Sequence, residues 1–383
     1  MKKFMEKISV LSLSLLLTTA FSISSIQSSL FTFYKDIPNS WVELLISLPS
    51  AGIMLTLLLN RVIEHYLTER QMIITGLFLF SLCAFVPLLN PSYWIIFLSR
   101  LLFGIGVGLL NAKAISIISE RYEGKERVQM LGLRGSAEVV GSATLTFGVG
   151  QLLQYGWQST FLVYSFGLVV LFLYLLFVPY ERVEKKSIHQ VEKLEKQQWR
   201  NVLFFSFVAA IIVLTYVVLN IYVPVVLEQE KMGTAKTAAT ILAMTQLIGI
   251  LAGISFANLI QFFRGRLLLL STLSFGIVQI LIGWSPNVLI FSIFTIVSGF
   301  VYTISLTTIF HLLSEQISRK TLNQATSFVI VGCSVGATSS TFILDLLKSI
   351  SNHSNFIFTI FGIMMGLTGL TTLAFIKKVE KIG

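Results

Sequence analysis

Charge is scarce in this chain. Only 12% of its 383 residues are Asp, Glu, Lys or Arg, against about 25% in soluble domains. A water-facing surface cannot be built from so few. Cysteine is scarcer still. Cys83 and Cys333 both lie inside apolar stretches, so neither a structural disulfide nor a zinc site is expected. Four histidines in 383 residues show no metal-ligand spacing, and no metal or cofactor is expected. No glycine-rich nucleotide loop and no catalytic triad is visible. The polar intervals are too short for a catalytic domain, which leaves a membrane enzyme or receptor as a remote alternative.

What the chain has is apolar length. It is 55% hydrophobic, with a mean hydropathy of +0.82. Twelve stretches, near 8–30, 41–62, 71–89, 93–118, 129–152, 158–179, 201–226, 235–258, 267–284, 287–312, 321–346 and 355–376, each approach the ~20 residues that span a bilayer as a helix. Only helices or closed barrels satisfy their backbone in lipid, and long unbroken runs exclude the ten-residue alternation of a barrel. The expected fold class is an all-α polytopic membrane protein with twelve transmembrane helices and the lipid bilayer as its partner.

The net charge of +10 does not indicate nucleic acid, because of where it sits. With the N-terminus cytoplasmic, 22 of the 28 basic residues fall on the inner side and four, Lys35, Lys231, Lys236 and Lys348, on the outer. That asymmetry predicts both termini in the cytoplasm and an even number of spans in the cell membrane. The Lys-rich start followed by an apolar run resembles a signal peptide. Its removal would leave eleven spans and spoil the charge asymmetry, so an uncleaved first span is expected.

The largest polar break is 180–200, "YERVEKKSIHQVEKLEKQQWR", with six spans on either side. It divides the chain into an N-terminal bundle 1–180, a cytoplasmic linker 181–200 and a C-terminal bundle 201–383. The halves repeat. At an offset of 195 residues, Ser119-Glu120 falls on Ser314-Glu315, Lys125 on Lys320, Gln129 on Gln324 and Gly141 on Gly336. Several matches at one offset indicate duplication. Parallel six-helix repeats are a transporter arrangement with substrate held between pseudo-symmetric halves.

Charges inside spans are costly and mark function. Arg100 lies in the fourth span, in "SRLLFGIGVGLLNAK", and Asn111, eleven residues on, returns to nearly the same face. Arg100 could pair an anion in a cavity, take part in proton coupling, or bond backbone carbonyls to fix packing. Lys113, on the inner part of the same span, faces Glu138 of the fifth as a plausible buried pair. Arg134, four residues before Glu138, competes for it. A desolvated Glu138 could carry a coupling proton. Glu138 reads as the deepest acid of the chain. His311, near the inner end of the tenth span, reads as a snorkelling residue rather than a proton carrier. The Gly141–Gly148 stripe and Gly332/Gly336 read as close helix packing.

Twelve spans, a charged central loop and half-repeats resemble the major facilitator superfamily. In its drug/proton antiporter branch the fourth helix carries an arginine followed by small residues, a pattern matched here by Arg100, Gly104, Gly106 and Gly108. The loop after the second helix, "TLLLNRVIEHYLTER", places Asn60 where the family has aspartate and keeps Arg61, without the family's flanking glycines. The fifth helix has Gly141 but lacks the Gly-Pro pair of the antiporter signature. The resemblance implies a cavity lined by Gln27, Asn220, Tyr222, Gln246 and Tyr302 together with Arg100 and Asn111. It also implies an outer gate near Glu43 and Asp345, with Lys348, whose plainer reading is exposed acidic caps. The expected function is proton-coupled efflux of small amphipathic or multidrug-type molecules by an antiporter that works as a monomer. A small polar metabolite, such as a sugar or organic anion, is the alternative substrate.

Overall fold

The structure, a computed structural model, describes residues 2–122, 124–179, 195–317, 321–351 and 353–380. Most of the expected linker 181–200 thus lies outside the described residues. Among the described residues there is no strand. The first span comprises α1 (Lys2–Ser14) and α2 (Gln27–Phe33). It is followed by α3 (Asn39–Tyr66), α4 (Glu69–Leu82) with the short α5 (Val86–Leu89), α6 (Tyr93–Arg121) and α7 (Gly124–Leu152). A 3-10 run, Gln158–Ser165, leads into α8 (Phe166–Phe177). The second half holds α9 (Lys196–Gln229), α10 (Ala235–Phe263), α11 (Leu267–Gly283), α12 (Val288–Gln316), α13 (Leu322–Ile350) and α14 (Ser354–Glu380).

These helices supply the twelve spans at their expected places. Among the described residues nine stretches are long and apolar enough to cross a membrane, together with the bent first pair. One of the nine is α10 and α11 running on across Arg264–Arg266, and α7 carries Glu126, Arg134 and Glu138 in its first half. Ends are set locally. Thr68 and Gln71 form a reciprocal capping box on α4, and the Asn287 side chain accepts from the Ile290 amide at the start of α12. Both satisfy amide donors that a helix start leaves open.

The first span departs from the unbroken 8–30 helix expected. Its two arms meet at 55°, across 3-10 turns at Thr19–Phe21 and Ser24–Ile26. The cause is local. The stretch "SVLSLSLLLTTAFSISSIQSS" is dense in hydroxyls that bond nearby carbonyls: Ser9 Oγ to Met5 O, Ser12 Oγ to Ser9 O and Thr19 Oγ1 to Leu16 O, each at 2.8 Å. Such bonds compete with the helical ladder and bend it.

The chain forms two compact units. One holds 1–185 with 223–228 and 234–243; the other holds 186–222, 229–233 and 244–383. The 195-residue offset seen in the sequence reappears inside each unit as packing. In the first, a side chain on Gly141 would meet the Leu15 carbonyl; in the second, one on Gly336 would meet the Ala210 carbonyl. Both members of the pair shift by 195. Gly167 abuts Ser81 as Gly362 abuts Gly276, again at that offset. Gly104 meets the Pro49 backbone as Gly299 meets that of Thr245, one residue out of step. The glycines are retained where helix backbones touch, the role small residues play in membrane bundles.

Candidate functional site

At the break in the first span the neighbouring helices add donors to backbone carbonyls, one of which, Thr19 O, also accepts from the Ser22 amide at 3.1 Å. Four consecutive residues are served. Asn111 Nδ2 donates to Leu17 O at 3.3 Å, Ser142 Oγ to Thr18 O at 3.0 Å, Tyr164 Oη to Thr19 O at 3.4 Å and Arg100 Nη2 to Ala20 O at 2.7 Å. In lipid each unmet carbonyl would cost several kcal/mol, so these side chains hold the bend in place.

Arg100 also mends a second defect. Pro49 lies inside α3 and has no N–H to offer the carbonyl four residues earlier. That carbonyl, Leu45 O, accepts from Arg100 Nε at 2.9 Å. The guanidinium carbon lies 4.8 Å from the Phe103 ring centre and 5.7 Å from that of Tyr164, a favourable cation–π arrangement. Nη1 has no hydrogen-bond partner among the described residues. Gly104, one turn further, lets the Pro49 backbone approach, and Gly108 does the same for Thr56. Gly106 faces Gly76 of α4. Arg100 is 0% exposed. In this arrangement it offers no surface to a ligand, contrary to the cavity-facing placement expected, and of the three roles read from the sequence the carbonyl-bonding one matches its contacts.

Glu43, expected as an exposed cap, is 1% exposed. Its Oε1 accepts from Gln27 Nε2 at 3.1 Å, so residues given separate roles by the sequence meet within one unit. The Glu138 side chain is 19% exposed. It pairs with Arg134 Nη2 at 2.5 Å, and its carbonyl accepts from Thr18 Oγ1. The expected Lys113–Glu138 pair is absent. Lys113 reaches Glu64 of α3 at 2.7 Å instead, because a partner on the adjacent α3 is nearer than one on α7. Asn60 Nδ2 donates to the same Glu64 oxygen at 3.0 Å. Glu64, one helical turn past Asn60, was not singled out by the sequence pattern. Arg61 lies on α3, with its side chain outside the described residues. Two further ion pairs are Lys7–Glu126 at 2.5 Å and Arg121–Glu6 at 3.2 Å. Beside Arg121, burial, then the Glu6 carboxylate, pushes the Tyr122 hydroxyl up to about 12.

Glu64 is 42% exposed, which limits its pair with Lys113 to at most about 1 kcal/mol. Glu64→Gln is therefore expected to shift the melting temperature of the purified protein by only a few degrees and to leave a double-mutant coupling with Lys113→Met below that figure. A coupling several times larger would contradict a solvent-screened pair.

In the second unit, Asn220 is buried and its Nδ2 donates to Tyr216 O at 2.7 Å. Tyr222 is buried beneath Lys348, whose Nζ stands 5.2 Å from the ring centre. Asp345 is exposed on α13, and Gln246 is half-buried on α10. His311 pairs with Glu315 at 3.3 Å and meets the Phe256 ring edge-on, near the C-terminal end of α12. Tyr302 stacks flat on Tyr216, which the sequence reading missed. The ring centres are 3.8 Å apart and the planes 7° from parallel. Tyr216 and Tyr302 are 86 positions apart in sequence, so no local pattern could have paired them.

Comparison with known proteins bears on this arrangement. The sequence model described as Major Facilitator Superfamily matches residues 4–336. Among solved structures, a D-xylose–proton symporter is similar with a TM-score of 0.78 at 16% identity, covering 97% of both chains. The xylose transporter XylE from E. coli, in an inward-open state, gives 0.77 at 15% identity over 97% of this chain and 96% of that one. A bacterial homologue of the human lysosomal transporter Spinster gives 0.74 at 15% identity, over 97% and 98%. The riboflavin transporter RibZ of Clostridioides difficile (strain 630) is 24% identical over 106 residues, 27% of this chain and 23% of that protein. The matched stretch is thus under a quarter of the length of that relative.

Proposed function

This chain belongs to the major facilitator superfamily, and from that membership we propose that it exports small amphipathic or drug-like molecules in exchange for protons. It is a multi-pass membrane transporter, not an enzyme. Under the proposal it sits in the cell membrane with both termini cytoplasmic, works as a monomer and alternates access between its six-helix halves. Bundles 1–180 and 201–383, joined by 181–200, are the moving parts.

The observation that carries the reading is Glu43. A carboxylate with 1% exposure inside a membrane-spanning helix, accepting from the Gln27 amide among its contacts, is a group whose charge state would respond to a change of surroundings. A proton carrier needs that exchange, since a ligand shifts an equilibrium only through differential interaction with its two states. Glu138 is the second candidate, with Arg134 beside it and Lys113 in the neighbouring network. Amphipathic substrates suit Gln246 and Tyr302, the half-buried members of the expected lining, whereas Asn220 and Tyr222 are buried in this arrangement. Asp345 and Glu43 with Lys348 remain the proposed outer gate.

The test is transport in proteoliposomes under an imposed pH gradient. Glu43→Gln is expected to remove the response to the gradient by at least tenfold while downhill equilibration persists, and Glu138→Gln to do so less. Unchanged gradient dependence in both variants would remove carboxylate coupling at these positions. A substrate screen decides the second part: uptake of a sugar or organic anion with no movement of amphiphiles would establish the polar-metabolite alternative.

A further inference from the structure

We propose that Glu6–Arg121 and Asn201–Gln316 are two copies of one tie, which fastens the first span of each half to its fourth, and that ionic strength loosens only the first copy. The tie belongs to the moving halves and not to their cargo, so it goes beyond the reading above and does not depend on the substrate.

Register comes first. Arg121 Nη1 donates to Glu6 Oε1 at 3.2 Å in the first unit, and Asn201 Nδ2 donates to Gln316 Oε1 at 2.9 Å in the second. Partners in both pairs stand 115 positions apart. Moving Glu6 and Arg121 by the 195-residue offset gives Asn201 and Gln316. The contact therefore recurs in the register that relates the glycine contacts, although the residue types differ. In each unit it joins the opening helix, α1 or α9, to the last residue of α6 or α12. Two unlike pairs making one contact at one offset mark the tie itself as the common element. Place comes next. Arg121 Nη2 also donates to Pro179 O at 3.0 Å, just before the segment that connects the halves, and Asn201 lies just after it. In a transporter whose halves rock as rigid bodies, these are the points at which that segment pulls.

The chemistry separates the copies. The first is ionic, and Lys7–Glu126 adds a second ion pair between α1 and the start of α7. The counterparts of Lys7 and Glu126 are Val202 and Thr321, which carry no charge. Beside the second copy, Glu315 pairs with His311 on its own helix, and Arg200 makes no ion pair among the described residues. All four side chains of the ionic copy keep exposed surface, so solvent ions reach them. Salt shortens the reach of such pairs, from about 10 Å at 0.1 M to about 3 Å at 1 M. A hydrogen bond between two amides has no net charge to screen. Concentrated salt therefore frees the helix ends of the first half and leaves those of the second in place.

The test is amide hydrogen exchange on the purified full-length chain in detergent, in about 0.1 M and about 1 M KCl. Amides in the last turn of α6 are expected to exchange about threefold faster in the higher salt, the scale of a partly exposed ion pair. Those in the last turn of α12 should change by less than about 1.5-fold, as an uncharged pair requires. Glu6→Asn, Lys7→Val, Arg121→Gln and Glu126→Thr together give the first unit the second unit's residues. That quadruple variant should match wild-type exchange in low salt and lose the salt response. Asn201→Glu with Gln316→Arg should give the end of α12 a salt response that it lacks. Arg121→Gln alone, which leaves Glu6 without this cation, should speed exchange at α6 in both salts. If the multiple variants do not survive purification, the comparison of α6 with α12 in the wild-type chain still decides. Equal salt responses at the two ends, no response at either, or a response that persists in the quadruple variant would overturn the proposal.

Discussion

Arg100→Ala abolishes transport and lowers stability by about 3–6 kcal/mol, an expected result that follows from two carbonyls. Leu45 O and Ala20 O lose their charge-assisted donors, each worth roughly 1.5–3 kcal/mol, and both acceptors are left buried and unmet. The kink of α3 and the break of the first span then lose their common tie. Arg100→Lys should recover little, because one ammonium on a flexible stem cannot reproduce a fork that serves two carbonyls at once. Pro49→Ala gives a sharper check. It returns an N–H to the Leu45 carbonyl, so Arg100→Ala should cost less in that background, with a coupling of about 1 kcal/mol or more. Melting curves and proteoliposome flux read both effects. Normal melting and normal flux in Arg100→Ala would show that the arginine does not tie these helices.

Gly141→Val and Gly336→Val are expected to be as damaging as each other. At both positions the added Cβ meets a backbone carbonyl, that of Leu15 or Ala210, and backbone cannot turn aside as a side chain can. Forcing the helices apart costs about 3 kcal/mol or more, and folded protein recovered by size-exclusion chromatography should fall several-fold. Gly135→Ala, Gly253→Ala and Gly366→Ala serve as controls, since nothing lies within 4 Å of the space an added Cβ would take. Loss at one half with tolerance at the other would break the equivalence of the 195-residue repeat. Wild-type yield from both valine variants would refute the close approach itself.

The repeat governs packing, not chemistry. Positions offset by 195 from Arg100, Gln27 and Glu43 are Thr295, Tyr222 and Ala238. The first unit therefore holds the buried ions and the second holds the stacked tyrosines. An ion pair is legible in sequence where sign and spacing along one helix define it. Arg134–Glu138 is such a pair, four residues apart, and it formed. Lys113 pairs with Glu64 of α3, a contact that rests on which helices are neighbours.

By itself the sequence determined the all-helical membrane-spanning class, the number of spans, the duplication and the glycines at which helices touch. Each follows from a one-dimensional rule: a bilayer's thickness fixes apolar length, lipid forbids open backbone, and a glycine's value lies in what it lacks. Even the break in the first span had a local signal, its run of Ser and Thr. Only the tertiary structure decided that Arg100 turns toward backbone instead of open space, that Glu43 is buried against Gln27, and that Tyr216 lies flat on Tyr302. Those contacts join residues 80, 16 and 86 positions apart. A hydrogen bond or a stack depends on ångström distances and angles set by helix packing, which helical periodicity alone does not encode.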